Sequence, residues 1–298
     1  MKARVVDKIV QTLLYEGYIL YPYRPSALKN RRRWNFGVLT PKCFSEAQQG
    51  TEAWMMQTEC LVQQQTGASL SISVRFLQLV SDEAVERDIS ITDQNLDELT
   101  VRPQEFRFHY PANPETLGGS IQLNAELLAP QLFKLKVGIQ NLTTVGDVSK
   151  TTREEVLPQS LLSTHTILCL KDGEFVSLLE PPNDLSEPAA SCRNFGCWPV
   201  LVGQPGERDC MLSSPIILYD YPQVATESSG DFYDSTEIDE LLALRVLTLT
   251  DEEKREMRGG DLRAKQVLER IEGLPTEYFN SAHGAIRELM RLKGDNRD

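Results

Sequence analysis

Histidine is scarce in this chain, with three residues in 298, and no apolar run approaches the ~20 residues needed to span a bilayer. Neither GxxxxGK[ST], GxGxxG nor HExxH occurs, which removes the motif-level signs of a P-loop, a dinucleotide-binding turn and a zinc protease. There is no CxxC, no GxSxG, no internal repeat and no low-complexity linker. Positive charge is also in deficit: 31 Lys and Arg face 43 Asp and Glu, a formal net charge of −12. That balance disfavours general nucleic-acid binding, whose affinity comes mainly from neutralising phosphates.

Near the N-terminus, basic residues precede apolar ones, but Asp7, Lys8, Gln11 and Glu16 interrupt the run and no small-residue cleavage site follows. The expectation is a cytoplasmic protein with no membrane insertion. In a reducing compartment its six cysteines, Cys43, Cys60, Cys169, Cys192, Cys197 and Cys210, are expected as free thiols.

What the chain does contain divides it into three parts. Over 1–36, Val6, Ile9, Val10, Leu13 and Leu14 recur at helical spacing, with Gly17 as a stop. A basic, aromatic segment follows, in which Tyr21, Tyr23 and Trp34 alternate with Arg24, Arg31, Arg32 and Arg33. It suits an internal structural role, docking on an acidic partner, or phosphate binding. Ser26 and Lys29 match SxxK, but no KTG follows and the match is read as chance.

Residues 37–222 are β-rich. Alternation over 69–76, 106–110, 121–125 and 133–139 marks half-buried strands. Residues 166–170 and 175–179 read as a hairpin turning at Asp172-Gly173, and 200–203 and 215–219 as two further strands, the last buried. Many short strands without regular helix alternation predict an antiparallel β-sandwich, mainly β with an α+β flavour overall.

Residues 223–298 read as an acidic loop and a helical appendage. Between Asp220 and Glu240 there are seven acidic residues and no basic one. Helical stripes follow at Ile238, Leu241 and Leu242, at Ala264, Val267, Leu268 and Ile271, and at Ala282, Ile286, Leu289 and Met290. Thr250 with Glu253 is a capping box.

The chemistry on offer is sparse. Cys192 and Cys197, with Cys210 further on, would bind zinc only with a ligand from elsewhere, and buried or incidental thiols explain them as well. His165 beside Ser163 or Ser160 could form half of a hydrolytic pair, but a hydrogen-bonded structural histidine is the simpler reading. The carboxylates of Asp220, Glu227, Asp231 and Asp234 suit a divalent cation, yet the helix dipole alone explains acids at a helix start. No catalytic constellation emerges, and no cofactor is specified.

The phrases LYPYRPSALKNRRRWNFGVL, TECLV at 58–62, SLLSTHTIL with FVSLLEPP, CRNFGCWPVLVG, SSPIILYDYPQVA and EIDELLALRVLTLTDEEK resemble a bacterial family that accompanies gene clusters for nickel–iron hydrogenases and their maturation. The resemblance covers about 20–254 and carries no catalytic residue onto these positions. It implies a non-catalytic accessory or assembly factor that binds a hydrogenase subunit or maturation protein. The expected contact residues are Tyr21, Arg24, Arg31, Arg32, Trp34, Asp220, Tyr221, Glu227, Asp231 and Asp234. Two alternatives stand beside it. One is a metal-dependent hydrolase or ligand-modifying enzyme, its site formed by the 220–240 loop, His165 and Cys192. The other is a structural subunit of a hydrogenase complex.

Overall fold

A computed structural model describes residues 2–16, 34, 36–81, 83–112, 116–223, 246–259 and 262–273. The chain falls into two compact units, one formed by Met1–Tyr15 with Trp34–Val224 and the other by Glu16–Arg33 with Ala225–Asp298.

The first unit is mainly antiparallel β. Its strands are β1 (Met55–Val80), β2 (Glu83–Asn95), β3 (Gln104–Tyr110), β4 (Leu117–Ala129), β5 (Leu132–Asn141), β6 (Leu162–Phe175), β7 (Trp198–Leu201) and β8 (Cys210–Ser214). They form one eight-stranded sheet in the order β3-β4-β5-β1-β6-β8-β7, with β2 also paired to β1. The expected β-sandwich of two facing sheets is therefore replaced by one sheet curled as a half-barrel.

The curl follows from β1, whose 26 residues far exceed the usual strand. On one side, Met55–Gln63 pairs with β5 while Ser69–Val80 pairs with β2. On the other, β6 runs beside residues 62–77. The change of neighbours falls at a bulge, where 65–68 of β1 face only Asp172 of β6. Asp172 adopts φ +61°, so β6 bends there but continues. The predicted hairpin at 171–174 is thus one continuous strand, β6, opposite a bulge in β1.

In hydrogen-bonding order β3 lies three strands from β1, yet Phe108 and Tyr110 of β3 place their ring centroids 6.0 and 5.8 Å from Phe76 of β1. Only a curled sheet brings those rings together. Even-numbered residues of β1 (Cys60, Val62, Leu70, Ile72, Val74, Phe76) point into this curl with Leu123, Leu135, Val137, Leu168 and Phe175. Each such large side chain contributes about 1.5–3 kcal/mol of burial.

The helices of this unit are α1 (Lys2–Leu14), α2 (Lys42–Ala47), α3 (Leu96–Val101), α4 (Arg153–Val156) and α5 (Ser186–Ser191). As the spacing predicts, Val6, Ile9, Val10 and Leu14 of α1 are buried, and α1 packs on β6 and β1. Polar bonds fix its register: Arg75 reaches Asp7 at 2.6 Å and Asp88 at 3.1 Å, and Tyr15 donates to Glu86 at 2.7 Å.

Two further expectations fail near β8. The strand ends at Ser214, and 215–219 is irregular, with Ile217 and Tyr219 72% and 87% exposed. Pro215 supplies no N–H to continue the ladder. Nor are all the cysteines free: Cys169 and Cys210 are directly opposed on β6 and β8, Cα atoms 4.3 Å apart, and form a disulfide.

In the second unit, α6 (Asp251–Gly259) starts at the predicted capping box, with Glu253 N–H donating to Thr250 Oγ1 at 3.3 Å and Thr250 N–H to Glu253 Oε2 at 2.8 Å. It packs on α7 (Leu262–Glu272), whose stripe of Ala264, Val267, Leu268 and Ile271 is buried as predicted. Arg258 clasps Glu272 with two bonds of 2.8 Å.

Candidate functional site

The segment 192–198 leaves α5 and returns to β1. Phe195 and Gln57 exchange both backbone hydrogen bonds, at 3.0 and 2.9 Å, an isolated bridge that links the run into β7 back to β1. Side chains around it tighten the junction. Asn194 Oδ1 accepts from the Glu59 N–H at 2.8 Å, Glu59 Oε2 accepts from the Arg193 N–H at 2.8 Å, and Gln57 Nε2 donates to the Arg193 carbonyl at 2.9 Å.

Glu59 is the centre of this junction, its side chain only 10% exposed. A buried carboxylate needs compensation. It has the Arg193 N–H, the Gln57 amide at 3.2 Å and Lys136 Nζ at 3.7 Å. Under the same segment, Thr58 Oγ1 lies 2.6 Å from Ser213 Oγ and 3.4 Å from Cys197 Sγ, and the Cys197 thiol donates to the Gln57 carbonyl at 3.1 Å.

What the bracing presents outward is aromatic. A directly opposed antiparallel pair sends both side chains to one face, so the Phe195 ring leaves on the side of Gln57. Phe195 is 55% exposed and Trp198 is 45% exposed. Aromatic side chains held by a rigid backbone, with their faces in water, are typical anchors of protein interfaces.

The thiols here are poor nucleophiles and poor ready-made ligands. Burial pushes Cys192 up to about 11, with Glu59 adding to the effect, and burial raises Cys60 and Cys197 as well. Cys210, the third member of the predicted metal set, is bonded to Cys169. Among the described residues no group of three or more His, Cys, Asp or Glu is arranged to hold a metal ion.

His165 is fully buried on β6. Its Nδ1 lies 2.7 Å from the Ser163 carbonyl, which matches the structural reading, and its Nε2 has no partner among the described residues. Burial lowers its pKa to about 4. The hydrolytic pair fails on geometry, because Ser163 Oγ donates to the Leu13 carbonyl and Ser160 Oγ to the Val156 carbonyl.

The predicted contact residues divide three ways. Trp34 is buried, with its carbonyl taken by Arg153 at 2.6 Å, so it is a core residue rather than a surface contact. Asp220 is an internal brace: Oδ1 accepts from the Leu201 N–H at 2.7 Å and Oδ2 from Ser177 Oγ at 2.5 Å. Tyr221 donates its N–H to the Leu201 carbonyl at 2.7 Å and packs against the main core, so these two residues fasten the end of β7. Tyr21, Arg24, Arg31, Arg32, Glu227, Asp231 and Asp234 lie outside the described residues. Sequence reasoning missed Phe195 and Trp198 as surface residues. The available signal was two aromatics in a Gly-containing, strand-poor segment.

Among the described residues no helix is long and apolar enough to cross a membrane. No family model and no curated protein matches the chain.

Proposed function

We propose that the protein is a non-catalytic accessory or assembly factor for nickel–iron hydrogenase maturation, acting in the cytoplasm by binding a hydrogenase subunit or maturation protein. The observation that carries the binding role is the pair of exposed aromatics, Phe195 and Trp198, on a segment braced to β1 through Glu59 and Gln57. The resemblance of CRNFGCWPVLVG and its companion phrases supplies the partner class, and these aromatics lie within that same phrase. Protonated thiols and a histidine without a hydroxyl partner favour binding over covalent chemistry.

Deleting the gene in its host tests the reading. Hydrogenase activity is expected to fall and unprocessed large subunit to accumulate, with both restored by the wild-type gene. Unchanged activity and complete processing in the deletion strain would remove the proposal.

A further inference from the structure

On the outer face of the sheet, lined by Gln57, Gln122 and Gly138 among others, lies a cleft of about 410 Å³. Its geometry follows from register. Cross-strand pairs align Glu105 of β3, Gln122 of β4, Gly138 of β5, Gln57 of β1 and finally Phe195 in one row perpendicular to the strands. Partners in directly opposed pairs share a face, so the row is continuous. Gly138, in its middle, has no side chain and makes the floor. The side chains of Gln122 and Gln57 stand on either side of it, and Phe195 comes next in the row, beyond Gln57.

The charge pattern selects the occupant. Four carboxamides stand on this face of the cleft, from Gln57, Gln122, Asn124 and Gln140, against one acid, Glu105, and one base, Lys136, while Gln104, opposite the inward Leu123, turns its side chain to the other face. Both charges already have ion partners, Arg107 at 3.5 Å from Glu105 and Glu59 at 3.7 Å from Lys136. Among the described residues no hydrogen bond engages the Asn124 side chain; Gln140 donates to Gln122 Oε1 at 3.4 Å, and Gln57 commits its Nε2 to the Arg193 carbonyl and Glu59, which leaves its Oε1 to accept. Such a lining offers paired donors and acceptors and no free charge. A primary carboxamide presents the same N–H and C=O pair as a peptide group, so it matches main chain. From Glu105 to Phe195 the row covers four strand spacings, about 19 Å, which is about six residues of extended chain.

We propose that this cleft receives an extended, uncharged polypeptide segment of a partner protein, its main chain read by the carboxamides over Gly138 and one apolar side chain seated on Phe195. The inference rests on the protein-binding reading and specifies where and by what chemistry that binding occurs.

Panning a displayed random dodecapeptide library against the full chain tests it. Enriched peptides are expected to be low in charge and to carry one aromatic or aliphatic residue. Their affinity is expected to fall about tenfold or more for Gly138→Leu, and likewise for Phe195→Ala. A Cβ at Gly138 meets only Gln122 side-chain atoms at 3.8 Å, so the leucine fills the floor without displacing backbone. Phe195→Ala removes an exposed ring and serves if the first variant is unstable. Failure to enrich any peptide, enrichment of charged ones, equal binding to both variants, or binding of maltohexaose in place of peptides would overturn the proposal. Peptides that are selected and then lost in the variants, from a chain whose deletion leaves hydrogenase intact, would keep the cleft and remove the hydrogenase assignment.

Discussion

At Glu59 a single carboxylate ties three segments together, since its oxygens serve the Arg193 N–H, the Gln57 amide and Lys136. Glu59→Ala strands those donors and is expected to cost about 2 kcal/mol, read as a lowered urea midpoint. Glu59→Gln keeps an acceptor in place and should recover part of the loss. Equal midpoints for wild type and Glu59→Ala would mean the brace is not structural. His165 carries a pH dependence of definite sign. In the unfolded chain it takes a proton near 6.5, and in the folded one near 4, because burial penalises the charged ring. Between those values the unfolded state holds more protons, so stability falls as pH drops from 6.5 to 4, by roughly 3 kcal/mol in total. Urea midpoints across that window should fall more steeply for wild type than for His165→Gln. Parallel slopes would contradict the buried, neutral imidazole. This residue was legible in the sequence as a structural histidine because the neighbouring strand pattern is apolar. Trp34 was not, because it follows a run of arginines, a composition that reads as exposed whatever the tryptophan itself does.

Among the elements, β1 decides most of the architecture and was the least readable. Its second half alternates cleanly over 69–76, but its first half, MMQTECLVQ, mixes buried Thr58 and Glu59 with Cys60 and Leu61, so no period-2 signal survives. β2 was missed for the opposite reason: it is polar and largely exposed, with Ile91 its one buried residue. Opposite the bulge at 65–68, β6 read as two strands of a hairpin because periodicity breaks at Asp172 while hydrogen bonding resumes on the far side. Local signals did better. The helical stripes of α1 and α7 and the Thr250 cap depend on residues within a few positions of each other, and each was found where its spacing put it. The disulfide depends on register between β6 and β8, which no local pattern encodes. It links residues 41 apart, and replacing Cys169 and Cys210 by Ser is expected to lower stability by about 3 kcal/mol through the freed unfolded chain. Intact mass without reductant should be lower by two hydrogens than after reduction. Identical masses would show the pair reduced.

For the whole molecule, the mainly antiparallel β class was legible because strand-length alternation recurs along 69–139. The curl was not, since it arises from one strand exchanging β5 for β2 along its length, a relation between residues far apart in sequence. The outer-face row has the same origin: Gly138, Gln122, Gln57 and Phe195 come from four segments and meet only through register. The acidic stretch drew attention because its composition is extreme, yet Asp220 proves to be an internal brace. The central claim is that the braced face with Phe195 and Trp198 holds a hydrogenase partner. Native mass spectrometry of the tagged chain isolated from its own host tests it, comparing wild type with Phe195→Ala/Trp198→Ala. The account predicts a stoichiometric complex with a hydrogenase subunit or maturation protein for the wild type, lost in the double variant at unchanged folded stability. A wild-type chain that emerges alone, or a double variant that keeps the complex, would contradict it.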